Sequence, residues 1–488
     1  MANSTELELG LENKAWRLAE VAVGFVLNRT ALFIFNCGWR LWRLLKYVIF
    51  GIRDKRTIYG KVGNRFIFAT PEERNQPTCI IGQPGFGKSG EEVNLAIQDI
   101  QQGEAGIAID PHGNPHETDE KKKGAVVKIY ERAKNIGRVV FLSVNQILKV
   151  IGYNPLFLIG SMDALDHLKD ELMNSLFSDC LESGFLVSNK ARLLVESAIY
   201  FHNCYADWLM LVLGKNAIET KRILQTHQIT LNDLAKLSVN NTRLIDLFIQ
   251  MLGFKGSEFY RPDLVRLWQE IKDKSNFDAG LVGAIGRIDK IVTTTRAQLF
   301  FESFGFDVIE ERKKGKFVLV DISGLDSFTK SIISKLMFVK IYYLHVGGIL
   351  KSATRLYIDE AASLAMSKLA EMISEGRKFC LDLVLIIQYK KQFENAKDAI
   401  AVREACVNKL YFRSEDPEYN APIQKIATLP NREFILVTSK GVEENVKTLD
   451  MPKVRRSVQI SERGADKEVL KKQMMAKSLD IVGYFNRV

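Results

Sequence analysis

Residues Thr78 to Glu92 read TCIIGQPGFGKSGEE, a short apolar run that passes directly into a glycine-rich turn carrying a lysine and a serine. Gly82, Gly87, Lys88 and Ser89 fill the pattern GxxxxGK[ST], the phosphate-binding P-loop. Glycines let successive backbone N–H groups curl around phosphate oxygens at a helix N-terminus, where the helix dipole also favours negative charge. Gly82, Gln83, Pro84, Gly85, Phe86, Gly87, Lys88 and Ser89 are therefore the expected nucleotide cradle. Within it Lys88 would reach the β and γ phosphates of ATP, and Ser89 would ligate Mg²⁺. Glu91 and Glu92 follow in the first helical turns. Carboxylates suit a helix start in general, but here they sit near a polyanion and are expected to turn away from it.

A P-loop needs a second strand that ends in a metal-facing carboxylate, and RLYIDEAASL (355–364) supplies one. Leu356 to Ile358 form the apolar strand, Asp359 would hold Mg²⁺ through water, and Glu360 would polarise the attacking water. Adjacent carboxylates at a strand end divide these roles because alternate side chains point in different directions. KFVLVDISG (316–324) and LDLVLIIQYKKQF (381–393) are continuous apolar runs, as parallel strands buried on both faces should be. The second ends in Gln388, an amide where a γ-phosphate sensor would sit, or an ordinary strand-end glutamine. KLYFRS (409–414) and EFILVTSKG (433–441) add strands expected at the edge. Together these segments spell an open α/β sheet with its ligand at the carboxyl ends of the strands.

At 488 residues the chain is long enough for two or three domains. Its 47% hydrophobic and 26% charged content is that of an ordinary core-forming protein, and excludes a disordered or collagen-like one. Six scattered cysteines form no CxxC pair, and the histidines form no metal set. The net charge of +10 resides at the ends: residues 1–56 carry nine Lys/Arg against five Asp/Glu, and residues 451–488 carry nine against four. The central body is nearly neutral, so it presents no global basic face to a nucleic acid.

Val21 to Trp39 is mostly apolar, but Arg29 falls mid-span, and a charge at the bilayer centre costs at least about 2.5 kcal/mol. The next segment, GWRLWRLLKYVIFGIRDKR, places Leu41, Leu44, Leu45, Val48, Ile49 and Ile52 at helical spacing with Arg40, Arg43 and Lys46 interleaved. That pattern suits a helix lying on an anionic membrane surface, giving membrane contact through residues 16–56, or a helix packed on protein. Between Gly160 and Asp307 strand signals stop. MDALDHLKDELMNSLFSDCL, NKARLLVESAIYFHNCYADWLMLVL, TLNDLAKL, TRLIDLFIQML and DLVRLWQEIKD all bury one face at intervals of three and four.

After the P-loop helix, GIAID closes on Asp110-Pro111-His112-Gly113, and RVVFLSVNQILKVIGYNPLF (138–157) carries Asn154-Pro155-Leu156. These two segments, the P-loop, the Asp359-Glu360 strand and EGRKFCLDLVLIIQ (375–388) resemble the DNA-pumping ATPases of the FtsK/HerA superfamily. The likeness is greatest to the coupling proteins of type IV secretion and conjugation, and it covers about residues 57–450. It implies a RecA-like P-loop nucleotide-binding domain, in two parts at 57–159 and 308–450, with an inserted all-α domain at 160–307. An N-terminal helical segment (1–56), membrane-associated or packed on protein, and a basic tail (451–488) flank it.

The resemblance further implies ATP and Mg²⁺ as cofactors, a hexameric ring of identical subunits, and DNA, single-stranded or nucleoprotein, as the cargo. A relaxase or relaxosome would dock on the helical insert, a type IV secretion channel would be the exit, and the cytoplasmic face of the inner membrane the location. Arg377 matches the arginine of the family's glycine-arginine-lysine segment and would act in trans on a neighbour's nucleotide. Asp110 and His112 belong to the family turn, and are readable either as a structural turn or as direct nucleotide contacts. DNA contact would be local, through basic clusters such as Lys390-Lys391 or Arg312 to Lys314, which are equally readable as solvated turns. Two other functions fit the same motifs: a related secretion ATPase for protein export or pilus assembly that never touches DNA, and a cargo-recruitment platform gated by nucleotide. Typical coupling proteins begin with uninterrupted transmembrane helices, and the arginine-broken stretch here departs from that pattern.

Overall fold

A computed structural model describes residues 56–113, 116–120, 122–133, 136–145, 149–150, 153–182, 189–237, 243–274, 279–302, 308–361, 369–388, 396–414, 426–455 and 465–466. The expected amphipathic segment at 16–56 (apart from Arg56), Lys390-Lys391 and most of the basic tail lie outside these residues. No helix among the described residues is long and apolar enough to cross a membrane.

Eleven strands form one sheet: β1 (Thr57–Val62), β2 (Arg65–Ala69), β3 (Thr78–Ile81), β4 (Ala105–Asp110), β5 (Val139–Ser143), β6 (Phe317–Asp321), β7 (Thr354–Ile358), β8 (Leu381–Ile387), β9 (Asn408–Tyr411), β10 (Glu433–Thr438) and β11 (Gly441–Lys447). Their order is β2-β1-β11-β10-β9-β3-β8-β7-β4-β6-β5. From β9 to β5 every pairing is parallel, and every pairing from β9 out to β2 is antiparallel. The strand expected at 409–414 is therefore internal and pairs directly with the P-loop strand. The sheet continues past it through β10, β11, β1 and β2.

The parallel strands are buried on both faces, as their unbroken apolar runs require. Alternate residues divide between two cores. Ile80, Ala108, Tyr357, Val384 and Ile386 face α1 (Lys88–Gln102) and α2 (Ala125–Arg132). Cys79, Ile81, Ile107, Ile109, Leu356 and Ile358 face the second core, which takes in the helical segment as well.

That segment contains α3 (Met162–Glu182), α4 (Asn189–Leu211), α5 (Ala217–Thr226), α6 (Leu231–Ala235), α7 (Arg243–Leu252), α8 (Pro262–Lys274), α9 (Ala279–Ile291) and α10 (Thr295–Phe301). Asn154 ties it to the chain leaving the sheet: its amide donates to Gln228 Oε1 and to the Ile229 carbonyl, while its Oδ1 accepts from Leu156 N–H. After α11 (Val308–Lys313), the long helix α12 (Ser327–Val346) packs against α3.

Candidate nucleotide-binding site

β3 ends where the backbone must turn sharply, and glycine is required at both ends of that turn. Gly82 has φ 153°, and a Cβ there would sit 2.6 Å from Phe412 Cβ. Gly87 caps α1 at φ 110°, and a Cβ there would meet Arg432 Cα at 3.1 Å. Flanking strands hold the loop open: Gly82 N–H donates to Ile387 O, Gln83 N–H to Arg413 O at 2.8 Å, and Arg432 N–H to Phe86 O at 3.0 Å. The Arg413 guanidinium lies over the Phe86 ring at 5.0 Å. Sequence patterning could not assign these supports from β9 and β10, because they come from more than 300 residues away.

Lys88 is buried, and its Nζ donates to the carbonyl oxygens of Gly82 (2.5 Å) and Gln83 (2.8 Å). Burial lowers its pKa to about 8, against the opposing pull of Asp359 and Glu360. Those two carboxylates stand at the end of β7, separated from β3 by β8 alone. Gln388 follows the last residue of β8, and the Gly82–Ile387 bond places it beside the mouth of the loop. Ser89 is exposed at the second residue of α1.

The carboxylates form a cluster of one sign. Asp359 is pushed up to about 7 by burial and then by Asp110 and Glu360. Burial also raises Asp110, whose Oδ1 accepts from His112 N–H (2.7 Å) and Oδ2 from Val126 N–H (3.2 Å). Glu92 does not turn away from the site: it is buried, and desolvation followed by Asp359 and Asp110 drives it far up. Glu91 is buried as well, raised by desolvation against the pull of Arg74 and the amide of Asn94. Glu360 is held below the usual carboxylate range, chiefly by a 2.8 Å contact with His112 Nε2, which in turn raises the histidine.

A hydroxyl and carboxylates beside a phosphate cradle are hard oxygen donors suited to Mg²⁺, and mutual repulsion among buried carboxylates is what a divalent cation relieves. Among the described residues no three His, Cys, Asp or Glu could hold a metal by themselves.

The remaining assignments separate. Arg377 is exposed in the turn Gly376–Phe379, at the amino end of β8, while the cradle lies at its carboxyl end. Seven strand residues span about 23 Å, so Arg377 cannot serve its own subunit's pocket. Arg312 is buried and bonded to Thr354 Oγ1 and to the Ser352 and Ala353 carbonyls, so it is not available to DNA; Lys313 and Lys314 are exposed.

A solved structure shares this architecture. VirB4 of Thermoanaerobacter pseudethanolicus matches with TM-score 0.52 and 13% identity, over 81% of this chain and 96% of that one. The bacterial conjugative coupling protein TrwB matches in its unbound form with TM-score 0.46 and 12% identity, over 82% and 89%. TrwB with ADP and Mg²⁺ matches with TM-score 0.44 and 12% identity, over 81% and 90%. No protein-family model and no curated protein matches the chain. The fold is the RecA-like P-loop ATPase fold, an α/β sheet with a helical segment inserted between its strands.

Proposed function

We propose that this chain is an ATP-driven translocase that recruits DNA or nucleoprotein and pumps it during conjugative, type IV secretion transfer. The observation that supports it most is the electrostatic pairing of Lys88 with Asp359 and Glu360 at the carboxyl ends of two parallel strands separated by β8 alone. Phosphoryl transfer asks mainly for positioning and for charge stabilisation, and this group of residues offers both.

The loop from Gly82 to Ser89 receives the phosphates, and Lys88 exchanges the carbonyls of Gly82 and Gln83 for phosphate oxygens. Ser89 and Asp359 would hold Mg²⁺, which would supply positive charge to the phosphates. Glu360 takes a proton from the attacking water, and Gln388 senses the γ-phosphate. Arg377 of a neighbouring subunit completes the pocket, an arrangement that calls for a closed ring, hexameric by resemblance. A ring of this kind would work at the cytoplasmic face of the inner membrane, with the helical insert receiving the DNA-processing complex.

ATP turnover by the full chain, measured with and without single-stranded DNA, tests the proposal. At least severalfold stimulation is expected. Turnover that DNA leaves unchanged would instead favour an exporter of protein, and cargo transfer that survives Lys88→Ala would favour a nucleotide-gated platform.

A further inference from the structure

Glu360 has a backbone that an L-residue adopts only at a cost: φ is 52°, in the left-handed region, worth about 1–2 kcal/mol. Two contacts hold it there. Its N–H donates to Asp359 Oδ1 at 2.9 Å, and its Oε1 meets His112 Nε2 at 2.8 Å. His112 comes from the end of β4, which lies beside β7 with Ile109 opposite Ile358.

The turn carrying His112 is itself fixed. Asp110 is fully buried and accepts both His112 N–H and Val126 N–H. Gly113 and Gly124 close on it so tightly that a Cβ on Gly124 would stand 2.2 Å from Asp110 Oδ2 and 2.5 Å from Gly113 Cα. The backbone around Asp110 thus delivers one imidazole to one carboxylate oxygen.

Packing does not explain that delivery, because the His112 side chain is 59% exposed and that of Glu360 31%. Pairs so exposed contribute little to stability, typically below about 1 kcal/mol. Nor does the pair neutralise the buried acids, since Asp359 stays raised beside it. What the contact does fix is the direction of the Glu360 carboxylate.

We propose that His112 is a positioning residue for hydrolysis: by donating from Nε2 to Oε1 it aims the other oxygen, Oε2, at the attacking water. In the step it serves, the water oxygen bonds to the γ-phosphorus and the bond from that phosphorus to the ADP oxygen breaks. One water proton passes to Glu360 Oε2 and is later released to solvent. His112 gains and loses nothing in this step; it fixes the orientation of the carboxylate that does the work. Such a role rests on the ATPase reading above and adds to it a residue whose removal spares nucleotide binding.

The test uses the full chain and four variants: His112→Ala, His112→Gln, Glu360→Gln and the double variant His112→Ala/Glu360→Gln. Glutamine places its Nε2 donor near that of histidine and can keep the bond to Oε1. His112→Ala should lower kcat at least tenfold while KM for ATP, and the Kd of a fluorescent ATP analogue, change less than twofold. His112→Gln should restore most of the loss. In the Glu360→Gln background, His112→Ala should add nothing, because the group it directs is already gone.

A kcat that His112→Ala leaves intact or raises overturns the proposal, as do fully additive losses in the double variant. A fall in analogue binding that parallels the fall in kcat overturns it as well, since that marks a role in the pocket at large. Should the unaltered protein bind the analogue and turn over no ATP, the ATPase reading itself fails, and the role of His112 with it.

Discussion

The two ends of the parallel sheet hold similar numbers of buried charges and treat them oppositely. At the amino end, Arg74 Nη2 meets Asp99 Oδ2 at 2.8 Å and the Tyr357 hydroxyl at 2.6 Å, while Arg355 Nη1 meets Asp382 Oδ2 at 2.9 Å. Arg355 also donates to the Arg74 carbonyl and to Asn75 Oδ1, tying the segment before β3 to β7 and β8. Each buried carboxylate there has a guanidinium. At the carboxyl end the buried acids Glu92, Asp110 and Asp359 outnumber the buried cations near them, Lys88 and Lys128, and Lys88 is turned onto its own loop. Paired charges fix a structure, whereas an excess of one sign stores repulsion that a bound cation can relieve. One end of the sheet is thus built for stability, and the other is left for a ligand to complete.

Substitutions should separate the ends. Lys88→Ala is expected to lower ATP turnover at least a thousandfold, about 4 kcal/mol of transition-state stabilisation, while unfolding free energy moves by no more than about 1 kcal/mol. Steady-state turnover and chemical denaturation measure the two quantities on the same sample. Residual turnover above a tenth of the starting rate would mean that this end is not where phosphate is handled.

Arg74→Leu should show the reverse. It strands Asp99 as a buried carboxylate without its guanidinium, so unfolding free energy should fall by about 3 kcal/mol. Binding of a nucleotide analogue to the protein that remains folded should stay within twofold. A variant as stable as the parent would show that the amino-end network contributes no more than an exposed ion pair.

These contrasts also explain how far the sequence could be read. The P-loop was legible because its function resides in consecutive residues, and β3, β4, β6, β7 and β8 because parallel strands buried on both faces leave long apolar runs. β11 was missed: Gly441–Lys447 reads GVEENVK, an antiparallel strand whose Gly441, Val442, Asn445 and Lys447 are exposed. α12 went unassigned because its apolar residues encircle it, leaving little periodicity to detect. Strand order leaves no mark on the sequence, so KLYFRS and EFILVTSKG, both expected at an edge, are internal: the first lies beside β3 and the second between β9 and β11. The charge of the expected ligand alone points Glu91 and Glu92 away from the site, whereas the fold buries both. The His112–Glu360 contact joins residues far apart in the chain and requires the β4–β7 pairing to be known.

Repulsion at the carboxyl end makes a more demanding prediction. Asp359 has a folded pKa of about 7 against an ordinary value near 3.8, so its ionised form is disfavoured in the fold. The penalty is absent at pH values below about 3.8, grows as pH rises, and is complete above about 7. Asp359→Asn should therefore stabilise the metal-free protein at pH 8 by about 2 kcal/mol while abolishing Mg²⁺-dependent turnover. Added Mg²⁺ with ATP should stabilise the parent more than this variant. Thermal unfolding with EDTA and with Mg²⁺·ATP compares them, and a variant less stable than the parent in EDTA would remove the case for stored repulsion.

The smallest effect has the opposite pH slope and comes from the amino end. His345, near the end of α12, lies with its Nε2 2.6 Å from Thr354 Oγ1, and Arg312 Nε donates to the same oxygen. Burial, reinforced by the Arg312 charge, lowers the histidine to about 4 from an ordinary 6.5. Between those values the unfolded chain binds a proton that the fold refuses, so stability from this group falls as pH drops from 6.5 towards 4 and is fully present above 6.5. His345→Gln should flatten the pH profile by at most about 1.4 kcal/mol per pH unit in that window and leave its shape above pH 7 unchanged. Asp359 acts in the reverse direction over the same range, so the two variants, compared with the parent, expose opposing slopes. If His345→Gln left the slope between pH 4.5 and 6 as it is in the parent, the buried histidine would already be protonated in the fold, and the division between a paired and an unpaired end would not extend to this helix.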